Sequence, residues 1–299
     1  MRRPDYDRRV AVTGLGIISP VGTNVETAWG NLVAGNSGLE RITRWDPEVT
    51  DCHAAGEVND FDPKEWMNFK AVRRTDKNVV FGVAAAKQAM ADSGFEVTDE
   101  NAEEVGIYFG SGVGGPGLMA DAIEALDAKG TKGVSPFFIA NMLPDTASGQ
   151  IAIELGAKGP NMAIVTACST GTHNIGEAAE AIRRGDFIAG ICGATETPLF
   201  EVGYVGFSNM RGMGTPREGR PLSDISRPFD RTRDGFVLGE GAGALMVEDL
   251  EHAKARGATI YAEVVGYGNA ADAWDLIQPV EKGDGVRRAM EWSLQRHGV

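Results

Sequence analysis

The chain has 299 residues, 42% of them hydrophobic, which suffices for a substantial core in one large or two ordinary domains. A net charge of −13, from 29 basic and 42 acidic residues, argues against a nucleic-acid partner, which needs a broad basic surface. Cys52, Cys168 and Cys192 show no Cys-x-x-Cys spacing, so a reducing compartment is expected, with the cytoplasm as default and neither a disulfide framework nor a structural zinc site.

The apolar stretch after Met1-Arg2-Arg3 is interrupted by Thr13, Gly14, Gly16, Ser19 and Pro20 and is far shorter than the ~20 residues of a membrane span. It reads as a buried strand over 9–18, followed by a helix over 25–34 and a longer one over 75–93. A strand over 105–110 and a helix over 118–129 come next, then an apolar strand over 162–167 that gives way to a helix. That helix carries Ile175, Ala178, Ala179 and Ile182 on one face and closes at Gly185. Strands over 187–194 and 241–248 complete an alternation that signifies a layered α/β domain.

The 40 glycines concentrate at strand ends. Gly110-Ser111-Gly112-Val113-Gly114-Gly115 formally matches a dinucleotide fingerprint, but the motif should open the first βαβ unit, and the region of Asp127, where the acidic partner should end a second strand, reads as helix. A loop lining a substrate pocket is the better reading, and no cofactor or metal is expected.

A faint internal repeat links the helix over 78–95, with Ala84, Ala85, Ala86, Ala89 and Met90 before Gly94, to residues 285–299, with Ala289, Met290 and Leu294 before Gly298. Related strand and glycine turns precede them at 10–16 and 261–268. Residues 1–250 therefore read as one complete α/β half and 251–299 as the beginning of a second. The second copy reaches Val299 before the strand that follows its counterpart, so either a longer polypeptide or a partner is expected to complete it.

The most informative segment is Thr166-Ala167-Cys168-Ser169-Thr170-Gly171, which sets a cysteine between strand and helix. There the thiol faces unpaired N–H groups and the positive end of a helix dipole, the setting of a cysteine nucleophile. The same N–H groups can hold the oxyanion of a thioester under attack. An isolated cysteine elsewhere is most often inert core. Lys70, Arg73, Arg74 and Lys77 form a basic cluster, which reads either as a solvated helix face or as a docking patch for an acidic partner.

Five motifs in order resemble the β-ketoacyl-acyl-carrier-protein synthases, nearest their type II elongating branch: 12–16, 111–115, Ser135-Pro136-Phe137-Phe138, 166–174, and 227–241. The resemblance covers nearly the whole chain and implies the thiolase fold, layered α/β/α/β/α. It also implies a ping-pong condensation in which Cys168 accepts an acyl group from acyl carrier protein and malonyl carrier protein then loses CO₂ and attacks it. Val113 matches a position that limits acyl length, and Phe137 and Phe138 match a segment lining the acyl pocket across a homodimer. Lys70, Arg73, Arg74, Arg211 and Lys132 match carrier-protein docking positions.

The family's two decarboxylating histidines, its lysine and its second oxyanion loop would lie downstream of Val299. The resemblance thus implies a nucleophile without that machinery, and no full condensation by these 299 residues alone. His173 lies five residues along the helix from the thiol and reads as structural; His53, His252 and His297 read as surface residues. Two other functions remain open: a non-catalytic subunit that docks carrier protein or pairs with a synthase, and a thiolase-like acyl transferase that stops at the acyl-enzyme.

Overall fold

The computed structural model describes residues 8–295; His297 and Gly298 of the predicted last helix lie outside them. In chain order its strands are β1 (Val10–Ile18), β2 (Glu40–Arg41), β3 (Ala54–Ala55), β4 (Val105–Gly110), β5 (Asn161–Met162), β6 (Ala189–Glu196), β7 (Gly241–Asp249) and β8 (Ala262–Glu263). The helices are α1 (Val25–Ala34), α2 (Phe69–Val72), α3 (Lys77–Ser93), α4 (Pro116–Lys129), α5 (Phe138–Met142), α6 (Thr146–Leu155), α7 (Thr170–Arg184), α8 (Glu201–Asn209), α9 (Leu250–Ala255) and α10 (Asp284–Gln295).

Six strands form one mixed sheet in the order β5-β4-β6-β7-β1-β8. β4 runs parallel to β5 and β6, while β7 is antiparallel to both β6 and β1. Pleat alternation divides its side chains between two cores. Val105, Ile107, Phe109, Ile191, Ala244 and Met246 pack with α3 and α6 on one face. Tyr108, Cys192 and Val247 pack with Ala178, Ala179 and Ile182 of α7 on the other.

β1 serves both cores by means of a bulge. Val10 and Val12 belong to the α7 side and Ile18 to the α3 side, although all three share sequence parity. The register shifts between Val12 and Gly14, so Thr13 is the extra residue that reverses the faces. Its hydroxyl donates to the buried carboxylate of Glu248, which also binds Arg256 Nε at 2.9 Å and His252 Nδ1 at 3.0 Å. Burial alone would raise the Glu248 carboxyl, but hydrogen bonds from Arg256 and Thr13, the Arg256 charge and the His252 hydrogen bond hold it below the usual carboxylate range.

Gly14 and Gly16 then let α3 settle onto the strand. A Cβ at Gly16 would lie 1.9 Å from the Ala85 carbonyl oxygen, and one at Gly14 2.0 Å from that of Ala89. α3 itself begins where Asp76 accepts a hydrogen bond from Asn78 N and stops at Gly94 with φ 61°. The predicted 75–93 helix is thus confined to Lys77–Ser93, with α2 as a separate turn before it.

The second copy of the repeat follows the same geometry. A Cβ at Gly268 would meet Ala289 O at 2.2 Å and Ser293 N at 2.7 Å, as one at Gly16 meets Ala85 O at 1.9 Å and Ala89 N at 2.9 Å. Tyr267 packs on Gly176 of α7, where a Cβ would stand 2.2 Å from the ring, and Val264 joins the α7 core. From β8 at the edge of the sheet the chain crosses the outer side of α7 at Tyr267 and reaches α10, so α3 covers one face of the sheet and α7 the other.

One predicted strand is much shorter than expected. β5 pairs with β4 only at Asn161 and Met162, after which the Asn174 side chain replaces the ladder by accepting from Ile164 N at 3.0 Å and donating to Ile164 O at 3.2 Å. Among the described residues no helix is long and apolar enough to cross a membrane.

Gly16→Ala should cost about 1–3 kcal/mol, because Ala85 backbone must move, whereas Gly30→Ala, with open space at its Cβ inside α1, should stabilise by about 0.5–1 kcal/mol. Urea denaturation of both variants checks the contrast. Glu248→Gln should cost about 3 kcal/mol at pH 7. Because the folded-state value of Glu248 is depressed, its contribution is complete above the ordinary value of 4.5 and disappears as pH falls through the folded value. The gap between wild type and variant should therefore narrow in denaturation series below pH 4.5.

Candidate active site

The elbow forms where the chain leaves β5 and enters α7. Ala167 takes φ 50°, in the left-handed region unusual for a residue with a Cβ, and Cys168 follows in a single 3₁₀ turn. Thr166 N donates to Thr170 Oγ1 at 3.0 Å and Ser169 N to Thr166 O at 3.1 Å, closing the turn. Asn174, fully buried, also donates to Thr170 O at 2.9 Å, so one side chain ties the entering strand to the first turn of the helix.

This turn exposes Cys168, whereas Cys52 and Cys192 are buried. Burial also pushes the Cys192 thiol up, far from any nucleophilic role. Ser169 makes no side-chain capping bond to α7, so the first-turn N–H groups lack a side-chain acceptor beside the thiol. Such an end can stabilise negative charge on a reacting thioester oxygen.

The glycine loop 111–115 stands directly against this elbow. A Cβ at Gly112 would lie 2.8 Å from Ala167 O, and Gly112 N donates to Glu196 at 2.8 Å. Gly114, at φ 84°, presses on Met142 O, where a Cβ would be 2.3 Å away. These glycines admit protein backbone, and the Gly112 N–H is committed to a carboxylate. Val113 is exposed on the loop.

The loop in turn abuts α5 through Gly115 N and Met142 O at 3.1 Å. Phe138 is half-buried and Phe137 largely exposed, the latter beneath the Arg74 guanidinium at 4.9 Å from its ring centre. The structure therefore brings the elbow, Val113 and the Phe137–Phe138 segment into one neighbourhood.

Lys70 is exposed on α2 and Arg73 at its C-cap, 5.7 Å from the Phe69 ring centre, so Lys70, Arg73 and Arg74 form one surface patch with two aromatic rings. Lys77 departs from this cluster. It turns inward to Glu240, 2.7 Å away, which also accepts from Arg44 NH1 and Val58 N at 2.8 Å each. Burial holds the Lys77 amine below its ordinary value despite that hydrogen bond. Arg211, at φ 57° just beyond α8, and Lys132, after α4, are exposed on other segments.

The histidine expectations divide. His173 is half-buried with its ring 6.1 Å from that of Tyr267, a packing role. His53 and His252 are not simple surface residues: His53 lies 3.6 Å from Glu48, and His252 binds Glu248. Each described histidine thus has a partner other than Cys168. Among the described residues no group of three or more His, Cys, Asp or Glu side chains could hold a metal ion.

Glu196 is the site residue that sequence reading missed. It ends β6, far from the elbow in sequence, and only the parallel pairing of β6 with β4 carries it to the loop that follows β4.

A family profile for the β-ketoacyl synthase N-terminal domain matches residues 7–253. The chain belongs to the β-ketoacyl synthase family. It is 43% identical over 293 residues to 3-oxoacyl-[acyl-carrier-protein] synthase 2 of Staphylococcus aureus strain N315, covering 98% of this chain and 70% of that protein. Among solved structures it resembles the ishigamide ketosynthase/chain length factor, with TM-score 0.86 and 34% identity over 98% of this chain and 70% of the other. It also resembles a type II polyketide ketosynthase in complex with its acyl-carrier protein, with TM-score 0.87, 28% identity and the same coverage. This likeness shows the thiolase fold expected from the motifs.

Proposed function

We propose that this chain is a β-ketoacyl-acyl-carrier-protein synthase of fatty-acid or polyketide synthesis, with Cys168 as its acyl acceptor. The observation that carries this reading is the exposed Cys168 on a positive-φ turn at an uncapped helix N-terminus. The thiolate attacks the thioester carbonyl of acyl carrier protein, the Cys168 N–H holds the developing oxyanion, and the carrier's sulfur leaves with the electron pair and takes up a proton. In the second half-reaction malonyl carrier protein loses CO₂; the electron pair of the broken C–C bond attacks the acyl-enzyme carbonyl and expels Cys168 as thiolate.

The described residues supply the first half-reaction. Each described histidine is engaged elsewhere, so the second is assigned to groups other than these. The chain by itself is therefore expected to transfer an acyl group without releasing CO₂. Retention of an exposed Cys168 disfavours a purely non-catalytic docking subunit.

Acyl carrier protein is the proposed partner, docking on Lys70, Arg73 and Arg74, with Arg211 and Lys132 as outlying contacts. An acidic carrier would meet a local cationic patch on an otherwise acidic protein, an arrangement that favours encounter at this spot. A cytoplasmic homodimer is proposed through the edge strand β5, where Ile139, Leu143, Ile153, Met162 and Val165 are exposed nearby in sequence. Phe137 and Phe138 would then line the acyl pocket across that interface. The division near residue 250 into a first half and the start of a second is part of the same proposal.

Incubation with acyl carrier protein carrying an acyl chain should add the acyl mass to the wild type and not to Cys168→Ala, read by intact-protein mass spectrometry. Labelled malonyl carrier protein should release no CO₂ with this chain alone; release would contradict the division of labour. Reversing Lys70, Arg73 and Arg74 to Glu should slow acylation about ten-fold or more, and added salt should slow the wild type far more than the variant. Equal rates and equal salt dependence would remove the docking assignment.

A further inference from the structure

One carboxylate gathers several hydrogen bonds of the loop that presents Val113. Ser111, itself buried, donates its hydroxyl to Glu196 Oε1 at 2.8 Å while accepting from Gly114 N at 2.7 Å and Val113 N at 3.3 Å. Gly112 N donates to the other oxygen, Oε2, at 2.8 Å. The Ser111 hydroxyl and the N–H groups of Gly112, Val113 and Gly114 thus converge on Glu196, directly or through that hydroxyl, while Ser111 N donates to Pro144 O at 3.0 Å and Gly114 O accepts from Asn78 at 2.7 Å. Gly112 is held between that carboxylate and Ala167 O, with no room for a Cβ on either side.

The buried carboxylates have plain structural partners, whereas Glu196 is half-buried. Glu248 fastens β7 to Arg256 and Thr13, and Glu240 pairs with Arg44 and Lys77. Glu196 differs because its bonds go to the loop hydroxyl and N–H groups that separate Val113 from the elbow. Burial pushes its carboxyl up, against the hydrogen bonds from Ser111, Gly112 and Val113 that favour the charged form.

We propose that Glu196 is a specificity-determining positioning residue: by pinning the Ser111–Gly114 loop against Ala167, it sets how far Val113 stands from Cys168 and therefore which acyl lengths the thiol accepts. This rests on the reading of Cys168 as acyl acceptor and Val113 as pocket wall. Gln at 196 offers one acceptor oxygen where two are used, so one loop bond is lost while shape is kept. Gly112→Ala crowds the same contact, its Cβ 2.8 Å from Ala167 O and 3.0 Å from Glu196 Oε2, and so displaces the loop.

The test measures saturating rates of Cys168 acylation from butyryl and myristoyl carrier proteins, by quenched-flow and intact mass. Glu196→Gln and Gly112→Ala, each checked for native circular dichroism, should both shift the myristoyl-to-butyryl ratio toward the longer chain by about five-fold or more. Val113→Ala should change that ratio in the wild type and much less in the Glu196→Gln background, the non-additivity expected of groups acting as a unit. Acylated wild type with an unchanged ratio in Glu196→Gln, or additive effects in the double variant, overturns this inference alone. A wild type that takes no acyl group overturns the reading of Cys168 and this inference with it.

Discussion

The structure depends on one constraint, the confinement of α7 between two layers of chain. On one side its Ala178, Ala179 and Ile182 pack on the six-stranded sheet, and on the other Gly176 accepts the Tyr267 ring in van der Waals contact. A helix held on both sides cannot slide or roll without opening a cavity or a clash. Its N-terminus is therefore a fixed point. Asn174 transmits that fixity to the entering chain through Ile164, so the turn that carries Cys168 inherits the rigidity of the core although the cysteine itself is exposed.

The cost of that arrangement is localised. Ala167 occupies a left-handed conformation, a state worth roughly 1–3 kcal/mol of strain, held by the bonds around it. A turn with relaxed geometry would point the side chain elsewhere or add residues between strand and helix. The glycines act in the same way from the outside. Gly112 and Gly114 let the loop approach the elbow and Met142 closely enough to enclose the thiol's surroundings, while Gly14, Gly16 and Gly268 let the flanking helices dock on their strands.

Much of this was legible in the sequence because it is local. The elbow, β4, α1 and the closing Gly185 follow from apolar periodicity and cap residues within a few positions. The repeat was visible in its alanines and glycines, and Gly268 against Ala289 reproduces Gly16 against Ala85. What escaped is what depends on distant chain. β5 stops early because Asn174, ten residues beyond Ile164, takes up the hydrogen bonds of Ile164. Lys77 left the basic cluster for Glu240, 163 residues away. Glu196 sits 85 residues from Ser111, and nothing in its own neighbourhood announces that pairing. The bulge at Thr13 was invisible for a related reason, since only the partner strand reveals an extra residue.

The central claim is that the fold singles out one thiol of three. Limiting alkylation of the native protein with iodoacetamide, followed by peptide mapping, reads this directly. The account predicts that Cys168 is labelled first, with Cys52 and Cys192 protected until the protein unfolds, as their burial requires. Labelling of Cys52 or Cys192 at a rate equal to that of Cys168 would contradict it.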